Sequence, residues 1–166
     1  MSKLLILGAG QYGMLAKEIA ESMNEYNDIA FLDDNNPVAI GKIAEYSKFR
    51  SNFDFAIVAI GNSQLRLKYI EVLEQCGYKI PILIHKNAYV SPSAIIEKGS
   101  FVEPMAVIHT DVHIGVGCII SAGTIVNHNS YVGLGCHLNC GTIIASNSVI
   151  EEHTNTQYGD KIILGK

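Results

Sequence analysis

A branched aliphatic residue recurs at every sixth position in the second half of this chain, and this period limits the possible folds more than any other feature. The twelve residues in this register are Ile84, Val90, Ile96, Val102, Ile108, Ile114, Ile120, Val126, Val132, Leu138, Ile144 and Ile150. Four positions after each of them stands a residue that is Ala, Ser, Thr, Cys or Val. Three positions after each, Gly, Asn, Asp or Ser dominates, with Met105 and His153 as exceptions. Such an unbroken period indicates a repeat architecture.

The three positions have separate physical roles. The aliphatic side chain fills a narrow interior, the small residue lets the chain pack close beside it, and the Gly/Asn/Asp position tolerates the left-handed backbone of a corner. Three such sides close a triangular coil of 18 residues, and successive coils stack as parallel strands about 4.8 Å apart. Residues 84–155 are therefore predicted to form a left-handed parallel β-helix of about four coils.

Stacking also predicts which residues lie above one another, namely those 18 positions apart. The pairs of interest are Asn127 over His109, Asn129 over Asp111, and Cys136 over Cys118. The two stacked cysteines share an inward position and are predicted to be core thiols. Without a C-x-x-C spacing or an export signal, all four cysteines are expected to be reduced, as in a cytoplasmic protein.

Composition excludes two classes of partner. The net charge is −4 and no basic run occurs, so a nucleic-acid interface has no electrostatic basis. No apolar stretch approaches the roughly 20 residues that span a bilayer, so no membrane segment is expected. The short apolar run at the N-terminus leads directly into a glycine turn and is interpreted as a strand rather than a signal peptide.

The first 80 residues alternate apolar strands with amphipathic helices. Strands are predicted over 3–8, 28–32, 54–60 and 80–84, and helices from the glycine-rich turn to about Met23 and over 63–76. This β-α-β-β-α-β pattern has about half the size of a dinucleotide-binding fold. Two domains are predicted: a half-Rossmann-like α/β domain over residues 1–80, and a β-helix over 81–166 whose repeat decays at Thr156 into a C-terminal cap.

The glycine-rich turn Gly8-Ala9-Gly10-Gln11-Tyr12-Gly13 joins the first strand to the first helix. Such a turn lets a pyrophosphate approach the backbone at a helix N-terminus, which carries partial positive charge. Asp33 follows the second strand, where a ribose or base would lie. A turn without a ligand and an NAD site remain alternatives. A nucleoside-diphosphate ligand fits the half-sized domain better.

Histidine is the side chain best suited to act as a base near neutral pH. His128 stands two places after an inward aliphatic residue, so it is predicted to point outward, flanked by Asn127 and Asn129. His137 is also predicted to point outward. The six histidines show no metal-ligand spacing, so no metal site is predicted.

Taken together, these motifs resemble the bacterial sugar acyltransferases of the sialic-acid O-acetyltransferase and UDP-4-amino-sugar N-acetyltransferase type. The resemblance covers residues 1 to about 150. It rests on Gly8-Ala9-Gly10-Gln11-Tyr12-Gly13, Leu32-Asp33-Asp34, Ile60-Gly61-Asn62 with Arg66, Val90-Ser91-Pro92-Ser93-Ala94, and Asn127-His128-Asn129 followed by His137.

This resemblance implies a homotrimer with active sites between adjacent β-helices, acting on a nucleotide-sugar with acetyl-CoA as co-substrate. It implies that His128 is the general base, oriented by Asn129, and that His137 and Ser146 contact the acyl-CoA. The implied nucleotide-sugar contacts are Gly10, Gln11, Tyr12, Gly13, Asp33, Asp34, Gly61 and Asn62.

The chain departs from the family pattern at three places. Asn129 stands where some members carry a carboxylate beside the histidine, and Asp111, one coil below, is a possible substitute. His85-Lys86 replaces the usual His-Pro at the entry to the β-helix. Members usually continue for about two more coils, which help to hold acetyl-CoA. A non-catalytic nucleotide-sugar-binding trimer with a degraded acyl-CoA site is therefore the alternative function, and an NAD-linked activity is a further one.

Overall fold

The computed structural model describes residues 2–163, which divide into two compact units between Leu83 and Ile84. The first unit contains a parallel sheet of three strands in the order β2-β1-β3. Its elements are β1 (Ser2–Leu7), α1 (Gln11–Met23), β2 (Tyr26–Leu32), a 3-10 helix (Ile43–Phe49), β3 (Phe55–Val58) and α2 (Ser63–Gln75). Because all strands run the same way, the turns that follow β1, β2 and β3 lie at one edge of the sheet.

The central strand β1 forms the core of the first unit. Leu4, Leu5, Ile6 and Leu7 are all fully buried, as expected of a parallel strand covered on both faces. The strand predicted over 80–84 does not extend this sheet: Lys79 forms an isolated bridge to Phe55, and only Leu83–Ile84 (β4) is a strand, paired within the solenoid. Pro81 has no N–H to donate, so the ladder cannot continue.

The second unit is the predicted left-handed parallel β-helix, with two-residue strands stacked on three faces. The first face holds β4, β7 (Phe101–Val102), β10 (Ile119–Ile120) and β13 (His137–Leu138). The second holds β5 (Tyr89–Val90), β8 (Val107–Ile108), β11 (Ile125–Val126), β14 (Ile143–Ile144) and β16 (Lys161–Ile162). The third holds β6 (Ile95–Ile96), β9 (His113–Ile114), β12 (Tyr131–Val132) and β15 (Val149–Ile150). Paired residues are 18 apart, as in Ile119 with His137, which confirms the predicted register.

We call the turns between the first and second faces the first corner, those between the second and third faces the second corner, and the remaining turns the third corner. From Gly99 onward, every sixth residue has a positive φ. These residues are Gly99, Met105, Asp111, Gly117, Gly123, Asn129, Gly135, Gly141, Asn147, His153 and Gly159. Met105 and His153, the sequence exceptions, therefore adopt the same backbone as their neighbours, because the strands on both sides impose it.

The coil continues beyond the predicted end of the repeat. Thr156 occupies the next inward position and is buried, and β16 pairs with β14 in the same register. The Thr156 hydroxyl lies 2.8 Å from that of Thr142 and accepts a hydrogen bond from the Asn139 N–H at 2.8 Å. The prediction that the repeat decays after Ile150 is therefore wrong, because a polar side chain is tolerated inside the coil when its hydrogen bonds are satisfied.

Met105 offers a test of corner strain. Its φ of 62° is unfavourable for an L-residue, and its side chain is 68% exposed, so it gains little from packing. We expect Met105→Asn to raise the free energy of unfolding by about 1 kcal/mol, since asparagine tolerates this conformation. The melting temperature should rise by about 3 °C. Met105→Ala keeps the strain and serves as the control; an equal gain from both variants would contradict this account.

Candidate functional site

The glycine-rich turn contains glycines of two kinds. A Cβ on Gly8 would lie 2.8 Å from the carbonyl oxygen of Ala59, and one on Gly13 would lie 2.1 Å from that of Gly8. These two glycines are required for packing. Gly10 is exposed, and a Cβ there would meet nothing within 4 Å. Of the predicted contacts, Gly10 therefore faces space that a ligand can occupy, whereas Gly13 serves the close approach of α1 to the sheet.

An open cavity of about 520 Å³ lies beside this turn. It is lined by Ala9, Gly10, Gln11, Met14, Leu15, Glu18 and Asn36. No side chain caps the N-terminus of α1, where Gly10 is the N-cap residue. The first-turn N–H groups of a helix have no acceptor within it, and together with the helix dipole they favour an anion.

Asp33 holds the turn rather than presenting a free carboxylate. Its Oδ2 accepts a hydrogen bond from the Ala9 N–H at 2.7 Å, and its Oδ1 accepts from the N–H groups of Asn35 and Asn36, each at 2.9 Å. The bond from Ala9, followed by those from Asn35 and Asn36, lowers the pKa of Asp33. Asn36, whose side-chain amide donates to the Ala9 carbonyl at 2.6 Å, was not among the residues predicted from the sequence. Its place three residues after Asp33, within an Asx turn, was the available signal.

Replacement of Asp33 gives a pH-dependent prediction. Because its pKa is lowered in the folded state, the stabilisation is complete above the pKa of the unfolded carboxyl and is lost as the pH falls through the folded value. We expect Asp33→Asn to lower the free energy of unfolding by about 2 kcal/mol at pH 7 and by much less near pH 2. Urea titrations at both pH values measure this difference. Asp34→Asn is the control, since the carboxylate of exposed Asp34 accepts one bond, from the Ile43 N–H at 3.2 Å; equal losses in both variants would refute the assignment.

The loop after β3 is fixed by two side chains. Asn62 caps α2 by accepting a hydrogen bond from the Leu65 N–H at 2.9 Å. Arg66 is completely buried and donates to the carbonyls of Ile60 at 2.7 Å and Gly61 at 3.0 Å. The Cβ position of Gly61 lies 3.9 Å from the Tyr12 ring, so the turns after β1 and β3 meet. Among the predicted contacts, Asn62 thus has a structural role and Gly61 is exposed beside Tyr12.

His128 lies at the second corner and is exposed, as the sequence predicts. Its Nδ1 lies 3.1 Å from the Asn129 amide, so Asn129 contacts the imidazole. As placed, the amide nitrogen faces Nδ1; a half-turn of the amide puts its oxygen there, where it accepts Nδ1–H and leaves the Nε2 lone pair available. Within residues 2–163, the hydrogen bond of the His128 ring is with Asn129 and none joins it to the Asp111 carboxylate.

Ser146 and His137 occupy different parts of the β-helix. Ser146 is 18 residues after His128, in the coil above it, where the Asn147 N–H donates to the His128 carbonyl at 3.0 Å. His137 lies on the first face, with Nε2 3.1 Å from the Ser121 hydroxyl, a neighbour that the sequence analysis did not identify. The strands of the second face separate the two histidines, so a single chain does not bring His128 and His137 together.

The part of the chain that the structure describes contains neither a cluster of metal ligands nor a membrane-spanning helix. Over residues 2–163, no three His, Cys, Asp or Glu side chains are grouped so that they could hold a metal ion. No helix in this range has the length and apolar character needed to cross a membrane. The four cysteines in this range form no disulfide with one another, and Cys118 and Cys136 are buried.

Comparisons with known proteins agree with this arrangement. Residues 3–73 match the family model of the PglD N-terminal domain. The chain is 32% identical to the acetyltransferase domain of PglB from Neisseria gonorrhoeae FA1090, solved in complex with acetyl coenzyme A, with a TM-score of 0.90 over 96% of this chain and 80% of that one. A mutant of perosamine N-acetyltransferase from Caulobacter crescentus, in complex with CoA and GDP-perosamine, matches at 22% identity and a TM-score of 0.83 over 98% of this chain and 89% of that one. WeeI from Acinetobacter baumannii AYE matches at 16% identity and a TM-score of 0.62, over 98% and 94%. The last two share the fold.

Proposed function

Since the chain belongs to the hexapeptide-repeat sugar acetyltransferases, the family of the PglB acetyltransferase domain, we propose that it transfers an acetyl group from acetyl-CoA to the amine or hydroxyl of a nucleotide-activated sugar. The observation that carries this proposal is an exposed imidazole, His128, held by an amide at a β-helix corner in a chain that matches this domain over 96% of its length. Cysteines that stay as thiols are typical of cytoplasmic proteins, so we propose the cytoplasm as the compartment.

The proposed chemistry is direct transfer. The nitrogen or oxygen of the acceptor sugar attacks the thioester carbonyl while Nε2 of His128 takes its proton, and collapse of the tetrahedral adduct breaks the C–S bond. The proton then passes from the imidazolium to the leaving thiolate, which gives CoA and the acetylated sugar. Asn129 orients the ring but adds no negative charge, so we assign it a positioning role.

The nucleotide-sugar is proposed to bind at the glycine-rich turn. Gly10 and Gln11 line the open cavity there, and the uncapped N-terminus of α1 would receive the pyrophosphate. Tyr12 and Gly61 form the neighbouring wall. Gly13 and Asp33 would act indirectly, by holding the turn in shape, and exposed Asp34 is available for the ribose or base.

The active assembly is proposed to be a homotrimer with its sites between β-helices. The second and third faces carry exposed apolar side chains, which a neighbouring copy would cover. These are Tyr89, Ile95, Tyr131, Ile143 and Val149. Because one chain separates His128 from His137 by the second face, a site that uses both residues requires two copies.

Titration and turnover test the proposal together. We expect acetyl-CoA to bind at micromolar to millimolar concentration, and free CoA to be released only when a nucleotide-sugar with a free amine or hydroxyl is added. Binding of a nucleotide-sugar without any binding of acetyl-CoA would contradict the proposal and favour the non-catalytic alternative. Tighter binding of NAD than of any nucleotide-sugar would contradict the assignment of the N-terminal cavity.

A further inference from the structure

A buried arginine, Arg66, lies beneath the loop that joins β3 to α2. Its side chain is completely buried, and one of its nitrogens, Nη1, donates to two consecutive carbonyls, those of Ile60 at 2.7 Å and Gly61 at 3.0 Å. Removing a guanidinium from water costs free energy unless hydrogen bonds compensate for the loss. Because a hydrogen bond from a charged donor is stronger than one from a neutral donor, the guanidinium fixes the direction of both carbonyls.

The direction of these carbonyls decides where the N–H groups of the loop point. Every peptide bond among the described residues is trans, and a trans peptide holds its N–H opposite its C=O. The carbonyls of Ile60 and Gly61 face inward to Arg66, so the N–H groups of Gly61 and Asn62 point away from it, and both of these residues are exposed. In the described range, residues 2–163, neither N–H has an acceptor.

Two exposed N–H groups without an acceptor form a pair of donors suited to an anion. The negative ends of the two peptide dipoles face the guanidinium, so their positive N–H ends face outward. The pair lies beside the glycine-rich turn, since the Tyr12 ring is 3.9 Å from the Cβ position of Gly61. The anion proposed for that turn is the pyrophosphate of the nucleotide-sugar. Its oxygens belong to two phosphorus atoms, so they can accept from the N-terminus of α1 and from this pair at once.

We propose that Arg66 is a positioning residue for the nucleotide-sugar: by holding the carbonyls of Ile60 and Gly61 inward, it presents the N–H groups of Gly61 and Asn62 to the pyrophosphate. The proposal rests on the proposed function for the identity of the ligand. The guanidinium itself touches no phosphate, because it is completely buried under the loop. It sets the direction of the donors before the ligand binds, so the loop needs no rearrangement and binding costs less free energy.

A pair of variants at Asn62 isolates one of the two donors. The φ of Asn62 is −65°, the value that proline requires, so Asn62→Pro removes the N–H and leaves the backbone in place. The preceding residue is a glycine, which has no Cβ to clash with the proline ring. Asn62→Pro also removes the side-chain cap on the Leu65 N–H. Asn62→Ala removes the same cap and keeps the N–H, so it is the matched reference.

The affinity for a nucleoside diphosphate is the quantity to compare. The ligand is UDP or GDP, whichever the wild type binds more tightly in calorimetry. It should bind Asn62→Pro about 10- to 100-fold more weakly than Asn62→Ala, the effect of one hydrogen bond to a charged group. Equal affinities would overturn the proposal. The two variants should melt within a few degrees of each other; a much lower melting temperature for Asn62→Pro would show that the fold itself uses this N–H, and would also overturn the proposal.

Two variants of Arg66 separate its hydrogen bonds from its packing. Arg66→Lys keeps a donor that can bond two carbonyls, and we expect it to bind the same nucleotide within about threefold of the wild type. Arg66→Met fills a similar volume without a donor, and we expect a loss of at least about 100-fold, since both N–H groups lose their fixed direction. An affinity of Arg66→Lys as low as that of Arg66→Met would overturn the proposal. If Arg66→Met does not fold, a loss beyond about tenfold in folded Arg66→Lys has the same meaning.

Steady-state kinetics shows which substrate these donors serve. We expect KM for the nucleotide-sugar to be higher in Asn62→Pro than in Asn62→Ala, and KM for acetyl-CoA to be the same in both. Acetyl-CoA also contains a pyrophosphate, so a rise in its KM instead would assign the donors to the other substrate and overturn the proposal. A wild-type protein that binds neither UDP nor GDP would contradict the proposed function, whereas equal affinities of the two Asn62 variants in a protein that binds one of them would overturn the role of Arg66 alone.

Discussion

Replacing His128 with alanine should lower kcat for acetyl transfer by a factor of about 10²–10⁴, the usual contribution of a general base. The imidazole is exposed at the second corner and bonds to the side chain of Asn129, so its loss leaves the coil intact. KM for acetyl-CoA should change little, because the proton is transferred only in the transition state. Initial rates of CoA release at saturating substrates measure the effect.

A matched variant separates the base from a general effect of losing a histidine. His153 is also exposed and also lies at a corner, but at the third corner, away from the proposed site. His153→Ala should retain full turnover, and both variants should keep the melting temperature of the wild type within a few degrees. Turnover of His128→Ala equal to that of the wild type would exclude His128 as the base.

The second large effect is expected at Gly13. A Cβ there would lie 2.1 Å from the Gly8 carbonyl oxygen, a distance that only a movement of α1 away from the sheet can relieve. The backbone fixes the position of a Cβ, and the oxygen it meets is a backbone atom, so no side-chain rotation relieves the overlap. We expect Gly13→Ala to cost at least about 3 kcal/mol in the free energy of unfolding, at the upper end of the usual overpacking range. Urea unfolding of the full chain measures it.

Gly10→Ala provides the contrast within the same turn. Its φ of −75° is ordinary for alanine, and the added Cβ meets no atom within 4 Å. The free energy of unfolding should therefore change by no more than about 0.5 kcal/mol, while the methyl group projects into the space proposed for the pyrophosphate and weakens nucleotide-sugar binding. Unfolding of both variants to the same degree, or unchanged binding by Gly10→Ala, would contradict this division of roles.

The amino-acid sequence predicted the parts of this protein that depend on periodic patterns. The six-residue period fixed the register of the β-helix, and register alone decides that residues 18 apart pair and that His128 is exposed. The order of elements in the first unit followed from its apolar runs, and the glycine turn was placed correctly at the start of α1. These features are local or strictly repeated, so neighbouring residues carry enough information to specify them.

Other features depended on contacts between residues that are distant along the chain. The carboxylate of Asp33 turned out to bind the Ala9 N–H, 24 positions away, where the sequence analysis placed a ligand contact. The repeat continued through Thr156 because hydroxyl and amide partners from the coil below satisfy its side chain. Neither result can be predicted from the type of residue at that position, because each depends on a partner elsewhere in the chain.

In the β-helix, some features depend on the sequence period alone and others on contacts between coils. The sequence by itself determined that the chain winds into stacked triangular coils and which side chains point inward, because a strict period leaves one way to bury the aliphatic residues. Only the tertiary structure decided that Met105 and His153 take the left-handed corner backbone, that buried Glu103 accepts a hydrogen bond from the Ala122 N–H, and that His128 and His137 lie on opposite sides of one face. Those outcomes are set by hydrogen bonds and packing between coils, where each coil imposes its geometry on the next.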